Sequence, residues 1–107
     1  MSQHFFETKH NGNDVVVQLG HDRSIGHLFM VVQASSGKSD PIYSNLFQAD
    51  PFGLTVTDYR QVLQDLGITV PAEMFTAVEL DQFLDAPDRV IWYEADGTWN
   101  DGTSKVQ

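Results

Sequence analysis

The 107-residue chain has the length of one ordinary domain, and its composition, 41% hydrophobic and 20% charged, is that of a folded globular protein. It contains no cysteine, which excludes disulfides and every thiolate-based metal site. Six basic against fifteen acidic residues give a net charge of −9, so we expect no direct binding to nucleic acids or to anionic membrane surfaces.

The acidic excess lies mainly in the second half of the chain. Residues 54–107 hold ten acidic and three basic residues, against five acidic and three basic in residues 1–53. We find neither a signal-peptide pattern nor the roughly 18 consecutive apolar residues of a membrane-spanning helix. The sequence therefore predicts an acidic cytoplasmic protein.

The first element is a β-hairpin centred on Asn11-Gly12, a dipeptide that favours a type I′ turn. If His10 faces Asn13, then Lys9 lies opposite Asp14 on one face of the hairpin. The other face is apolar and holds His4, Phe6, Thr8, Val15, Val17 and Leu19.

The next segment, from His27 to Gln33, is almost continuously apolar. That pattern is typical of a central strand covered on both faces. A polar loop and a short strand at 42–44 are expected to follow. We then expect an irregular connection that is anchored in the core by Leu46 and Phe47.

The clearest helix follows this connection. Its apolar residues have the i, i+3, i+4, i+7 spacing of one helix face, and they are Tyr59, Val62, Leu63 and Leu66. Thr55 or Thr57 is placed to cap its start, with Asp58 in the first turn, and Gly67 is placed to end it. We expect this helix to cover the apolar face of the hairpin.

A second helix begins at Pro71 and ends near Val78 or Leu80, and residues 89–95 have the composition of a strand. The order β-β-β-(β)-α-α-β predicts a single α+β domain over residues 1–97. In it, an antiparallel sheet of four to five strands packs against two helices. Residues 98–107 are predicted to form a partly mobile C-terminal tail.

Two motifs of chemical interest have the wrong context. Ser36-Gly37-Lys38-Ser39 lacks the earlier glycine of a Walker A loop, and Asp40-Pro41 follows it in place of a helix. Asp22, Ser24 and His27 have the side chains of a catalytic triad, but triads draw their members from separate elements. A polar loop explains both segments.

All four histidines (His4, His10, His21 and His27) lie in the first 27 residues. With Asp22 they suggest a divalent metal site, although their spacing is not diagnostic. We expect scattered loop and surface histidines, no metal site and no cofactor. A small enzyme or a metal-dependent binding protein that uses these histidines is the alternative hypothesis.

Four carboxylates lie on the second helix and at its exit: Glu73, Glu79, Asp81 and Asp85. Paired carboxylates can perform general acid–base chemistry when they face one cleft. Their helical angles instead spread these four around the helix and predict a solvated acidic face. The same charge suggests a third hypothesis, a nucleic-acid mimic that inhibits a DNA-binding protein.

Aromatic residues give the strongest indication of a binding surface. Trp92 and Tyr93 are neighbours in a strand and must point to opposite faces, so that one of them fills the core. Surface aromatics are common hot spots of protein interfaces. The predicted partner-binding residues are Trp92, Tyr93, Trp99 and Phe52.

Three segments, 24–32, 41–46 and 66–71, resemble small uncharacterised bacterial proteins of integron gene cassettes and other mobile elements. In this sequence they read Ser24-Ile25-Gly26-His27-Leu28-Phe29-Met30-Val31-Val32, Pro41-Ile42-Tyr43-Ser44-Asn45-Leu46 and Leu66-Gly67-Ile68-Thr69-Val70-Pro71. The resemblance implies an accessory role in a bacterial cytoplasm and assigns no catalytic residue.

The leading functional hypothesis is a non-enzymatic binding module. It would bind a protein, for example a basic one, or a small ligand through one face of the sheet or through the acidic helical side. Self-association through an exposed strand edge or an aromatic patch is left open.

Overall fold

A computed structural model of the protein describes residues 1–24, 26–37, 40–84 and 88–101. Its helices are α1 (Val56–Leu66) and α2 (Ala72–Leu84), and one short 3₁₀ turn covers Asn45–Phe47. Its strands are β1 (Ser2–His10), β2 (Asn13–Asp22), β3 (His27–Ala34), β4 (Tyr43–Ser44), β5 (Arg89–Tyr93) and β6 (Trp99–Asp101). The predicted α+β class is confirmed.

The β1–β2 hairpin has the predicted register. Asn11 and Gly12 take the positive φ angles of 52° and 82° that a type I′ turn needs, and His10 pairs with Asn13. Lys9 donates to Asp14 across the strands at 2.6 Å. The turn and the alternation of apolar residues agree, and together they fix this register.

The sheet is mixed and not wholly antiparallel. Across the described residues its strand order is β4-β3-β2-β1-β5-β6, and β5 runs parallel to β1, with Ser2 opposite Arg89 and Phe5 opposite Trp92. A parallel pair needs a long crossover, which here contains β2, β3, β4 and both helices. The first strand of the chain therefore lies inside the sheet, between β2 and β5.

One face of the sheet packs against the helices and forms the core. α2 lies across β1, β2 and β3, while the buried Tyr59 of α1 donates from its hydroxyl to the Leu28 backbone oxygen of β3 at 3.2 Å. The apolar face of the hairpin, which we expected α1 to cover, is therefore covered largely by α2. Both helices, of 11 and 13 residues, are too short to cross a bilayer.

The ends of α1 follow the predicted signals. Thr55 is the N-cap, and its side chain accepts from the Asp58 backbone N–H while the Asp58 carboxylate accepts from the Thr55 N–H, which completes a capping box. Gly67 ends the helix in the left-handed conformation at φ 72°. The helix start is thus assigned to Thr55 and not to Thr57.

Two expectations about burial were wrong. β3 is covered on one face only, because its residues alternate between buried and half-buried along the strand. The expected anchors Leu46 and Phe47 are 67% and 62% exposed, and the buried residue of that turn is Asn45. Asn45 donates from its side chain to the Pro51 backbone oxygen at 3.1 Å, which holds the connection in place.

The predicted C-terminal tail, residues 98–107, includes a short strand. Its residues Trp99–Asp101 form β6, which pairs antiparallel with β5 and places Trp99 opposite Tyr93. Residues 102–107, on which the rest of that prediction falls, lie outside the described residues.

Candidate functional site: a buried polar cluster and two exposed apolar surfaces

A cluster of polar side chains, here called the polar cluster, lies between the start of β1, the strand β5 and the last turn of α2. His4 is fully buried, and its Nε2 lies 2.5 Å from Asp81 Oδ2 while its Nδ1 lies 2.9 Å from the Tyr93 hydroxyl. Arg89 donates to the other Asp81 oxygen. The members of the polar cluster are Ser2, His4, Asp81, Arg89 and Tyr93.

The hydrogen bonds define one consistent protonation state. Burial lowers the pKa of His4 despite the neighbouring carboxylate of Asp81. Burial alone would raise the pKa of Asp81, but hydrogen bonds from His4, Ser2 and Arg89 hold it below its usual value. The neutral imidazole therefore donates a hydrogen bond from Nε2 to an ionised Asp81 and accepts a hydrogen bond at Nδ1 from the Tyr93 hydroxyl.

The polar cluster is closed to solvent at its centre. His4 is 0% exposed and Asp81 is 1% exposed, and burial raises the pKa of Tyr93 to about 12. A general acid or base must come within hydrogen-bonding distance of a substrate, and neither the imidazole nor the carboxylate can do so here. The cluster instead ties α2 to β1 and β5.

The first exposed apolar surface is the outer side of the α2 end, here called the α2 patch. Leu80, Phe83 and Leu84 are spaced i, i+3 and i+4, and they are 51%, 85% and 61% exposed. The opposite side of the same helix buries Met74, Phe75, Val78 and Asp81. α2 is therefore apolar on two sides, a pattern expected of a helix that is covered on both.

The second surface is the side of the sheet that the helices leave uncovered, here called the open face. Phe5 and Trp92 stack there with ring centroids 4.6 Å apart. A shallow groove of about 190 Å³ next to them is lined by Val16, Gln18 and Val31 among others. This groove is smaller than the roughly 300 Å³ of the smallest typical ligand pockets. The half-buried apolar residues of the open face are Phe5, Val16, Phe29, Val31, Val90 and Trp92.

The four histidines do not come together. His4 belongs to the polar cluster, His21 is buried at the end of β2, His10 lies at the hairpin turn, and His27 stacks on Phe52 with ring centroids 5.6 Å apart. Among the described residues, no group of three potential metal ligands forms. The expectation that the histidines lie in loops and on the surface was wrong for His4 and His21.

The described carboxylates of α2 differ in environment. Glu73 and Glu79 are exposed, as an acidic surface requires, whereas Asp81 is buried with Arg89 and His4. The prediction of a solvated face was therefore wrong for Asp81, and Asp85 lies outside the described residues. The sequence signal for the exception is its phase, because Asp81 lies three residues after the buried Val78 on the inner stripe of the helix.

The predicted partner-binding aromatics fall in different places. Trp92 lies on the open face, Trp99 is 59% exposed on β6, and Phe52 is 42% exposed beside His27. Tyr93 is 5% exposed and points into the core, as one of the Trp92-Tyr93 pair had to do. The α2 patch was not predicted as a surface, because the second helix was expected to end near Val78 or Leu80, whereas α2 continues to Leu84.

The Asp22, Ser24 and His27 segment forms a local turn and not a triad. Asp22 accepts from the Ser24 backbone N–H at 3.0 Å and from its hydroxyl at 2.7 Å, the pattern of an Asx turn. His27 makes its ring contact with Phe52 instead.

No family model, curated protein or solved structure matches this chain.

Proposed function

We propose that the protein is a non-enzymatic binding module whose α2 patch receives a basic, amphipathic segment of another protein. The observation that carries this proposal is the exposure of Leu80, Phe83 and Leu84 together on one side of a helix whose other side is already in the core. An accessory role in a bacterial cytoplasm, which the resemblance implies, fits such a module.

The exposure of Phe83 is the first argument. A phenylalanine that is 85% exposed keeps nearly all of its apolar area in water, and its burial in an interface would stabilise a complex by roughly 1.5 to 3 kcal/mol. Leu80 and Leu84 flank it at helical spacing. Such a stripe is the feature that a partner helix recognises when it packs along another helix.

Charge is the second argument, and it selects a basic partner. Residues 54–107, which contain α2, have ten acidic and three basic residues. Among the basic side chains of the described residues, Lys9 forms an ion pair with Asp14 and Arg89 forms one with Asp81. A third, Arg60, lies 4.4 Å from the centre of the Phe75 ring. The exposed Glu79, one turn before Phe83, is available to a lysine or arginine.

The test uses a synthetic helical peptide of leucine and lysine that has one apolar face. We expect it to bind at low salt, to perturb the amide NMR signals of residues 79–84, and to weaken as salt rises. Phe83→Ser should reduce the affinity at least about tenfold, since it removes a large part of the apolar contact. Calorimetry gives the affinity, and the NMR signals locate the site.

The matched control is Phe52→Ser, which removes another exposed phenylalanine away from α2. It should leave the affinity unchanged, and a scrambled peptide of the same composition should bind at least about tenfold more weakly because its apolar residues no longer share one face. Equal losses with the two serine variants, or equal binding of the two peptides, would contradict the proposal and indicate attraction by charge alone.

A further inference from the structure

We infer that the open face is the surface through which two copies of this chain associate. This inference concerns the side of the molecule opposite the helices and does not depend on the function proposed for the α2 patch. It rests on the sequence of β3, the side-chain pattern across four strands, and the distribution of charge.

β3 has a sequence that its surroundings in a single copy do not explain. An antiparallel strand with one wet face normally alternates apolar and polar residues, while a strand that is covered on both faces is apolar throughout. β3 reads His27-Leu28-Phe29-Met30-Val31-Val32-Gln33-Ala34. Leu28, Met30 and Val32 are buried under the helices, and Phe29 and Val31 lie on the open face and are only half-buried.

The apolar residues of the open face continue across neighbouring strands. The register places Val31 beside Gln18, Gln18 beside Phe5, and Phe5 beside Trp92. The Gln18 side chain donates to Gln3 at 2.8 Å within the same face, so this amide has a partner before any association. The result is a largely apolar band across β3, β2, β1 and β5.

Charge identifies a second copy as the occupant. Two chains of net charge −9 repel each other over most of their surfaces. Within β1, β2, β3 and β5, the charged side chains on the open face are Glu7, Asp22 and the ion pair of Lys9 and Asp14, so these strands give that face a net charge of only −2. A basic partner would find few carboxylates there, whereas the open face of another copy presents the same largely uncharged band.

The size of the band is consistent with a weak dimer. Eight residues from each of β1, β2 and β3 and the five residues of β5, at about 3.3 Å per residue and about 4.8 Å between strands, cover roughly 460 Å². Two copies would therefore bury about 900 Å², slightly below the usual lower limit for a specific interface and in the range of weak, transient ones. The two sheets would stack face to face, as in a β-sandwich.

The experiment is sedimentation equilibrium of the full chain over a range of protein and salt concentrations. The mass should rise from 12.0 kDa towards twice that value with protein concentration, and more steeply at about 0.5 M NaCl because salt screens the repulsion. The emission of Trp92 should shift to shorter wavelength in parallel, measured in a Trp99→Phe variant. A mass that stays at 12.0 kDa throughout would overturn the inference.

Two substitutions at the centre of the band test the surface itself. Gln18→Glu and Gln18→Lys should each keep the fold, since Gln18 is half-buried, and each should reduce dimerisation at least about tenfold by placing like charges near each other. Mixing the two variants should restore a dimer with one copy of each.

Leu80→Lys, a charged substitution on the α2 patch, is the matched control and should leave the dimer intact. Circular dichroism and the cooperativity of unfolding show that each variant is folded. If folded Gln18→Glu and Gln18→Lys dimerise as strongly as the parent chain, or if only Leu80→Lys abolishes dimerisation, then the open face is not the interface.

Discussion

At the scale of single residues, His4 is the centre of the buried polar chemistry. Its two ring nitrogens bind Asp81 and Tyr93 at once, so replacing it removes a buried hydrogen bond from the Asp81 carboxylate, which keeps Arg89, and another from the Tyr93 hydroxyl. Breaking a buried pair from one side costs roughly 3 to 5 kcal/mol. We expect His4→Ala to reduce the free energy of unfolding by that amount, measured by guanidinium denaturation at neutral pH.

The control for this prediction is His10→Ala. His10 lies at the hairpin turn, where its ring contacts the Asn11 side chain at 3.4 Å in an exposed position, and we expect a change within about 0.5 kcal/mol. Similar losses for the two alanine variants would show that the polar cluster does not stabilise the fold.

The same histidine should make stability depend on pH. Burial lowers its folded-state pKa below the ordinary value of 6.5, so between those two pKa values the unfolded chain holds the additional proton and the free energy of unfolding rises with pH. The contribution is fully present above about pH 6.5 and is lost as pH falls through the folded-state pKa. Asp81, with its lowered pKa, adds a loss in the same direction below pH 3.8.

Urea denaturation at a series of pH values between 7 and 5 tests this sign. The parent chain should lose stability as the pH falls, and His4→Gln, which does not titrate, should have a smaller slope over the same range. A slope that is equal in the two proteins would assign the pH dependence to other groups.

The polar cluster also shows why single residues are hard to place from sequence. An aspartate on a helix is usually solvated, and no residue near Asp81 in the sequence indicates that its partner is His4, 77 residues away. The only local signal is that Asp81 lies three residues after Val78, on the buried side of α2. Lys9 and Asp14, by contrast, were paired correctly because a tight turn joins their strands.

At the scale of elements, α1 depends on its capping box. Thr55 and Asp58 satisfy each other's backbone N–H groups, and Thr55→Ala should cost about 1 kcal/mol. Thr57→Ala, an exposed position inside the same helix, should be neutral or slightly stabilising because alanine has the higher helix propensity. Thermal or denaturant unfolding of the two variants distinguishes them, and equal effects would contradict the assignment of the cap.

Local signals determined how well each element was predicted. The hairpin and α1 have turn and cap residues beside their apolar patterns, so their bounds and register follow from a few neighbouring positions. The pairing of β5 with β1 joins residues almost 90 positions apart and leaves no local trace. Both sides of β3 were predicted to be buried because the strand is apolar almost throughout. An apolar sequence does not distinguish a face covered within one chain from a face that is not.

At the scale of the whole molecule, the net charge of −9 should make stability depend on salt. Repulsion among carboxylates opposes the compact state, so raising NaCl from about 0.05 to 0.5 M should increase the free energy of unfolding by on the order of 1 kcal/mol at low protein concentration. The measurement is urea denaturation at each salt concentration.

A charge-reversed variant provides the comparison. Asp65→Lys with Glu73→Lys reverses two exposed charges and changes the net charge by four, from −9 to −5, so its stability should respond less to salt. If the two proteins respond identically, the effect of salt comes from the apolar core and not from charge.

The position of β1 between β2 and β5 also affects synthesis on the ribosome. The hairpin can close as soon as residue 22 has emerged, but the other edge of β1 gains its partner only when Arg89–Tyr93 follows. At 5 to 20 residues per second, those roughly 70 residues take about 3.5 to 14 s. During that interval the nascent chain presents an unpaired row of backbone N–H and C=O groups, to which a chaperone or a neighbouring nascent chain can add a strand.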